Sequence, residues 1–166
     1  MTDHQQSMRD IAPGDPILRY AGGARVEFAG ARARFDRGVG EAGGFRHDAP
    51  GTRICLRTDA TAVEICLRGN GLHARRDAVN CMLAVEVNGE LSGLIEADAT
   101  APESLAVPIL MAPLPAWRDI AIWLPYGESL DFEGLRVNAA ASCRAWPAPP
   151  IPRYVAYGDS ITQGFW

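Results

Sequence analysis

Gly158-Asp159-Ser160 runs into Ile161-Thr162-Gln163-Gly164 near the end of this 166-residue sequence. A serine hydroxyl attacks a carbonyl only when a base takes its proton and donors hold the oxyanion that forms. The local pattern supplies part of the second requirement. Tyr154-Val155-Ala156-Tyr157 reads as a short apolar strand, and Gly158 permits a tight exit from it. Ser160 would then open a helix, where backbone N–H groups and the dipole favour developing negative charge. Gly164 leaves room for backbone or substrate to approach. Taken alone, a Gly-Asp-Ser turn is usually just a plain turn or a helix N-cap. The histidines that could act as base are His4, His47 and His73. His4 sits in a polar tail and the other two in glycine-flanked loop sequence, so none is expected to serve Ser160.

Other residues suggest binding. Trp117 and Trp123 share parity with each other and oppose Ile120, Ile122 and Leu124. They are expected on the outer face or rim of a sheet, as an interface with a further domain or as a sugar platform. Two carboxylate pairs, Glu96 with Asp98 and Asp131 with Glu133, stand at i, i+2 on strands. Acid–base work or calcium binding would need more oxygen ligands than these offer. Arg32, Arg34 and Arg37, and Arg75 with Arg76, read as solvated or carboxylate-paired faces.

Composition narrows the classes further. All 16 basic residues are arginine, which excludes Schiff-base, phosphate-loop lysine and Ser-Lys chemistry within this sequence. A net charge of −4 gives no reason to expect nucleic acid or an anionic membrane. No run approaches the length of a membrane span. Residues 1–10 lack the apolar core of a secretory signal, so a cytoplasmic chain is expected. Cys55, Cys66, Cys81 and Cys143 show neither a C-x-x-C motif nor metal spacing.

The elements that must carry these residues have a period of two. Ile54 and Leu56, then Val63, Ile65 and Leu67, then Leu83, Val85 and Val87, then Ile120, Ile122 and Leu124 alternate with polar or small residues. Half-buried antiparallel strands follow from that pattern. Weaker strands are expected at 17–20, 25–29, 31–36, 91–96, 105–110 and 130–138. Asn88-Gly89 signals a type I′ hairpin. The fold class is all-β, an antiparallel β-sandwich of jelly-roll type. Pairing the strands at 53–57 and 63–68 as neighbours would set Cys55 across from Cys66. The expected organisation is a mobile tail over 1–14, the sandwich over 15–144, a proline-rich linker over 145–152, and a strand with its turn over 153–166.

The block Gly158-Asp-Ser-Ile-Thr-Gln-Gly164 resembles the first signature of the SGNH (GDSL-type) serine hydrolases, esterases, lipases and acyltransferases among them. Trp123-Leu-Pro-Tyr-Gly-Glu-Ser-Leu130 and Gly134-Leu-Arg-Val137 look like the last strands of the β-sandwich that precedes this block in enzymes similar to carbohydrate esterase family 2. The resemblance implies Ser160 as nucleophile, with Gly158, Asp159, Ser160 and Gly164 shaping its turn. It implies an acyl ester of a carbohydrate or small molecule as substrate, and no metal or organic cofactor. It also implies an oxyanion glycine and asparagine and an Asp-x-x-His, none of which follows Ser160 here. The expectation is therefore the N-terminal part of such an enzyme, truncated before its C-terminal catalytic domain and inactive by itself. The alternative is a stand-alone carbohydrate-binding or docking sandwich.

Overall fold

Alternating sequence becomes antiparallel sheet in the computed structural model, which describes residues 7–22, 24–36, 51–69, 82–96, 103–125 and 130–147. Among these residues the strands are β1 (Met8–Ile11), β2 (Arg19–Ala21), β3 (Arg25–Ala29), β4 (Arg32–Asp36), β5 (Arg53–Thr58), β6 (Ala62–Gly69), β7 (Met82–Val87), β8 (Glu90–Glu96), β9 (Leu105–Met111), β10 (Arg118–Trp123), β11 (Leu130–Asn138) and β12 (Cys143–Arg144). One sheet runs β3-β4-β11-β6-β9, with β1 also on β11. The other runs β12-β5-β10-β7-β8, with β2 also on β5. Most connections cross between the sheets, giving the expected jelly-roll-type sandwich.

The core is the set of inward positions. Ile54 and Leu56 of β5, Val63 and Ile65 of β6, and Ile120 and Ile122 of β10 are fully buried. Tyr20 brings its ring against Phe28, Phe35 and Phe132, and its hydroxyl donates to the Pro13 carbonyl at 2.7 Å. Burial pushes that phenol well above its ordinary range.

Two expectations are corrected. The sandwich begins before residue 15: Met8 to Ile11 pair with Asn138 to Leu135, and Ile11 is buried. With one inward residue in view, Met8-Arg-Asp-Ile11 gave too little alternation to read as a strand. The second correction concerns β5 and β6, which are not neighbours. Cys55 lies across from Ala121 and Arg19, whereas Cys66 lies across from Gly134 and Ala106, in the other sheet. Their connection is an arch between sheets, with Thr58 and Ala60 wholly buried. The Thr58 hydroxyl donates to the Ser142 carbonyl at 2.8 Å, and Asn138 Oδ1 accepts from the backbone N–H of Thr61 and Ala62. Those bonds satisfy an arch that would otherwise bury bare backbone groups.

The hairpin expectation holds. Asn88 and Gly89 have φ of 56° and 85°, as a type I′ turn requires. The Asn88 side chain also accepts from the Asp119 N–H at 3.0 Å, tying the hairpin to β10. Two of the outermost strands, β8 and β9, are irregular. The β7–β8 register slips between Val85 and Glu86, and the β6–β9 register slips between Val63 and Glu64, opposite Pro108.

In β11 the register shifts between Phe132 and Gly134, so that Phe132, Leu135 and Val137 all turn inward. Gly134 has φ of +126°, and a Cβ there would stand 2.5 Å from the Ile11 carbonyl oxygen. Gly134→Ala is expected to destabilise the sandwich by roughly 2–4 kcal/mol. Gly14 has open space about it, and Gly14→Ala is expected to change stability by less than about 0.5 kcal/mol. Urea denaturation of both variants checks this; equal midpoints would contradict it.

Candidate functional site on the outer face of the second sheet

Arg53 on β5 stands directly across from Trp123 on β10. Its guanidinium carbon lies 5.0 Å from the centroid of the Trp123 ring and 5.4 Å from that of Trp146. Trp146 follows β12 by two residues, so the last described residues lie beside this stack. At the far end of β10, Arg144 lies 3.9 Å over the Trp117 ring. A guanidinium over an indole face is attractive because the cation meets the negative side of the ring quadrupole. Between the two stacks Arg57 donates from Nε and Nη2 to the two oxygens of Asp119, at 2.6 and 2.7 Å. These hydrogen bonds raise the Arg57 pKa still further.

Trp123 and Trp117 therefore occupy one face, as their parity predicts. Trp117 precedes β10 rather than lying within it and is 45% exposed at the rim. Trp123 is half-buried, and its indole N–H has no acceptor among the described residues. About 20 Å of strand separates the two rings. Sequence reasoning missed Arg53, Arg144 and Trp146. The available signal was that Arg53 falls at an outward position of β5.

Ser160, Gly158, Asp159 and Gly164 lie outside the described residues, as do His4, His47, His73, Cys81, Asp98, Arg37, Arg75 and Arg76. Of the carboxylate pairs, Asp131 and Glu133 are held by arginine. Arg34 and Arg32 bridge to Asp131, and Arg32 and Arg68 bridge to Glu133 at 2.9 and 2.7 Å. Burial raises the Glu133 carboxyl pKa, but hydrogen bonds from Ser104 and Arg68 and the charges of Arg68 and Arg32 outweigh it and keep the group below its usual range. Among the described residues no His, Cys, Asp and Glu group is arranged to hold a metal ion.

Neither a protein-family model nor a curated protein matches this sequence. Solved structures do match. A salicylyl-acyltransferase, SsfX3, from a tetracycline biosynthetic pathway is similar at 23% identity and a TM-score of 0.71, over 86% of this chain and 42% of that one. A family two carbohydrate esterase from Cellvibrio japonicus is similar at 13% identity and a TM-score of 0.60, over 87% of this chain and 37% of that one. A family 35 carbohydrate-binding module from an environmental isolate is similar at 14% identity and a TM-score of 0.52, over 84% of this chain and 99% of that one. These likenesses establish the β-sandwich fold. The chain spans less than half the length of the first two structures.

Cys55 lies two residues from Arg53 on the same face and is buried. Burial pushes its thiol from 9.0 up to about 11, against the pull of Arg53 and with the help of Glu86. The unfolded chain loses this proton first, so stability should fall as pH rises from 9 through 11. Tyr20 adds its own loss above its ordinary 10.0. Cys55→Ala is expected to flatten the fall between pH 9 and 11 while leaving the tyrosine part. Melting midpoints across that range check it, and parallel curves for both proteins would refute it.

Proposed function

We propose that this chain is the β-sandwich and nucleophile-bearing segment of a serine ester hydrolase or acyltransferase of the SGNH type. The substrate class is an acyl ester of a carbohydrate or other hydroxylated small molecule. The observation that carries this reading is the Gly158-Asp159-Ser160 block placed directly after a sandwich and a proline-rich stretch. It is supported by the likeness of that sandwich to part of an acyltransferase and part of a carbohydrate esterase. In this reading Ser160 Oγ adds to the ester carbonyl carbon and its proton passes to a base outside these residues. The Ser160 N–H helps hold the oxyanion. The alcohol leaves with the proton, and water or a second alcohol then takes the acyl group. The outer face bearing Arg53, Trp123 and Trp146 packs against the rest of the hydrolase, since the last residues before the Gly158-Asp159-Ser160 segment that the structure describes lie there. No cofactor, nucleic acid or membrane partner takes part.

The 166-residue chain is expected to turn over p-nitrophenyl acetate at the uncatalysed rate. A longer product of the same reading frame that reaches an Asp-x-x-His is expected to be active, and Ser160→Ala to abolish that activity. Full activity in the Ser160→Ala protein, or a stop codon directly after Trp166, would defeat the proposal.

The exposed ring of Trp117 and the likeness to a family 35 carbohydrate-binding module favour a second reading, a sugar-binding sandwich. Titration with cellohexaose followed by tryptophan fluorescence separates the two. The packing role predicts no change at millimolar sugar, and a saturable change favours the sugar platform.

A further inference from the structure

The outer face of the first sheet carries a groove of about 530 Å³, on the side of the sandwich away from the tryptophans. That volume falls within the range of small-ligand clefts, about 300–1,000 Å³. The groove exists because β11 changes neighbours along one edge. Phe132 pairs with Ala33 of β4, whereas Leu135 onward pairs with β1. The register shift between them sets Gly134 beside Cys66, and Cys66 beside Ala106. A cross-strand row of small residues thus lies between two rows of charge.

Each wall is an ion-pair chain. On one side Arg136 donates to Glu64 at 2.9 Å and reaches Asp10 at 3.7 Å, and the Asp10 side chain is 87% exposed. On the other, Arg32 and Arg68 bracket Glu133, which also accepts from Ser104. Among the described residues, the charged groups lining the groove are Arg32, Arg136, Asp10 and Glu133, which sum to a formal charge of zero. An anion would meet two carboxylates at the price of only two guanidinium contacts, and a cation the reverse. A neutral molecule with many hydroxyls suits both, because each hydroxyl can donate to a carboxylate and accept from a guanidinium. Among the described residues no aromatic side chain lines the groove, so recognition by them is through hydrogen bonds rather than stacking.

We propose that this groove binds a neutral sugar and gives the sandwich a carbohydrate subsite distinct from Trp117 and Trp123. The proposal rests on the carbohydrate part of the function proposed above, but not on Ser160. In it Arg32 and Arg136 donate to sugar hydroxyls, Asp10 and Glu133 accept from them, and Cys66 and Ala106 form the floor.

The test is amide chemical-shift titration of the 166-residue chain with cellohexaose, xylobiose and glucuronate. Saturable shifts centred on Cys66, Ala106 and Gly134 are expected with at least one neutral sugar at millimolar concentration, with tryptophan fluorescence unchanged. Ala106→Trp fills the floor and should weaken that binding about tenfold. Should Ala106→Trp fail to fold, Arg136→Gln carries the same test with the floor intact. Ser160→Ala in this chain should bind sugar as the parent does, so the subsite is read by binding alone, independently of the ester turnover tested in the longer product. The proposal is overturned if neither neutral sugar produces saturable shifts, if the shifts centre on Trp117 or Trp123, or if folded variants bind undiminished. Preference for glucuronate with a steep salt dependence would also overturn it, by marking an anion site.

Discussion

Parity along β11 is the constraint on which the first sheet depends. Leu130 and Phe132 point into the core, and so do Leu135 and Val137. A regular strand with a side-chain period of two cannot turn both pairs the same way, because Leu135 stands an odd number of positions, three, after Phe132. One extra residue must be accommodated, and the register shift does so. Gly134 takes the left-handed backbone this requires, and its missing side chain lets the Ile11 carbonyl approach. The docking of β1, the outward aim of Glu133 and the groove over Cys66 all follow from that one insertion.

The two outer faces then differ in what their arginines do. On the first sheet Arg32, Arg34, Arg68 and Arg136 neutralise carboxylates of neighbouring strands. On the second, Arg53 and Arg144 lie over indole rings. A planar guanidinium can do either, through its donor edge or its flat face, whereas an ammonium does the second less well and cannot form a two-pronged pair. A chain whose cations are all arginine can therefore build a charged face and an aromatic face from the same residue type.

Much of the fold was legible, because one-sided burial writes itself as alternation. The segments around Ile54, Ile65, Val85 and Ile122 became strands, and Asn88-Gly89 became the hairpin turn. Pairing was less legible. Alternation says which way a residue faces but not which strand lies beside it, so the strands on either side of Thr58-Asp-Ala-Thr61 read as neighbours although an arch joins them. The distinguishing fact is that Thr58 and Ala60 are buried, with the Thr58 hydroxyl bonded to the Ser142 carbonyl and the Thr61 N–H to Asn138, residues distant in sequence. The site divides in the same way. The outward parity of Trp123 was readable, but its stacking on Arg53 depends on β5 and β10 pairing in one register. The groove was not readable, since it arises where β1 and β4 meet a third strand.

The irregular outer strands have a consequence for solubility. Proteins commonly guard exposed sheet edges with lysine, which this sequence lacks. Here β9 carries Pro108, which has no N–H to offer, and a bulge that breaks the spacing of its ladder; β8 sits against a bulge as well. A flat incoming strand would find donors and acceptors out of step at these two edges, whereas β3, the other end strand of the first sheet, pairs regularly with β4. Charge repulsion fades as salt is added, but a mismatch of backbone geometry does not. The resistance of these edges to pairing with other chains should thus be indifferent to ionic strength.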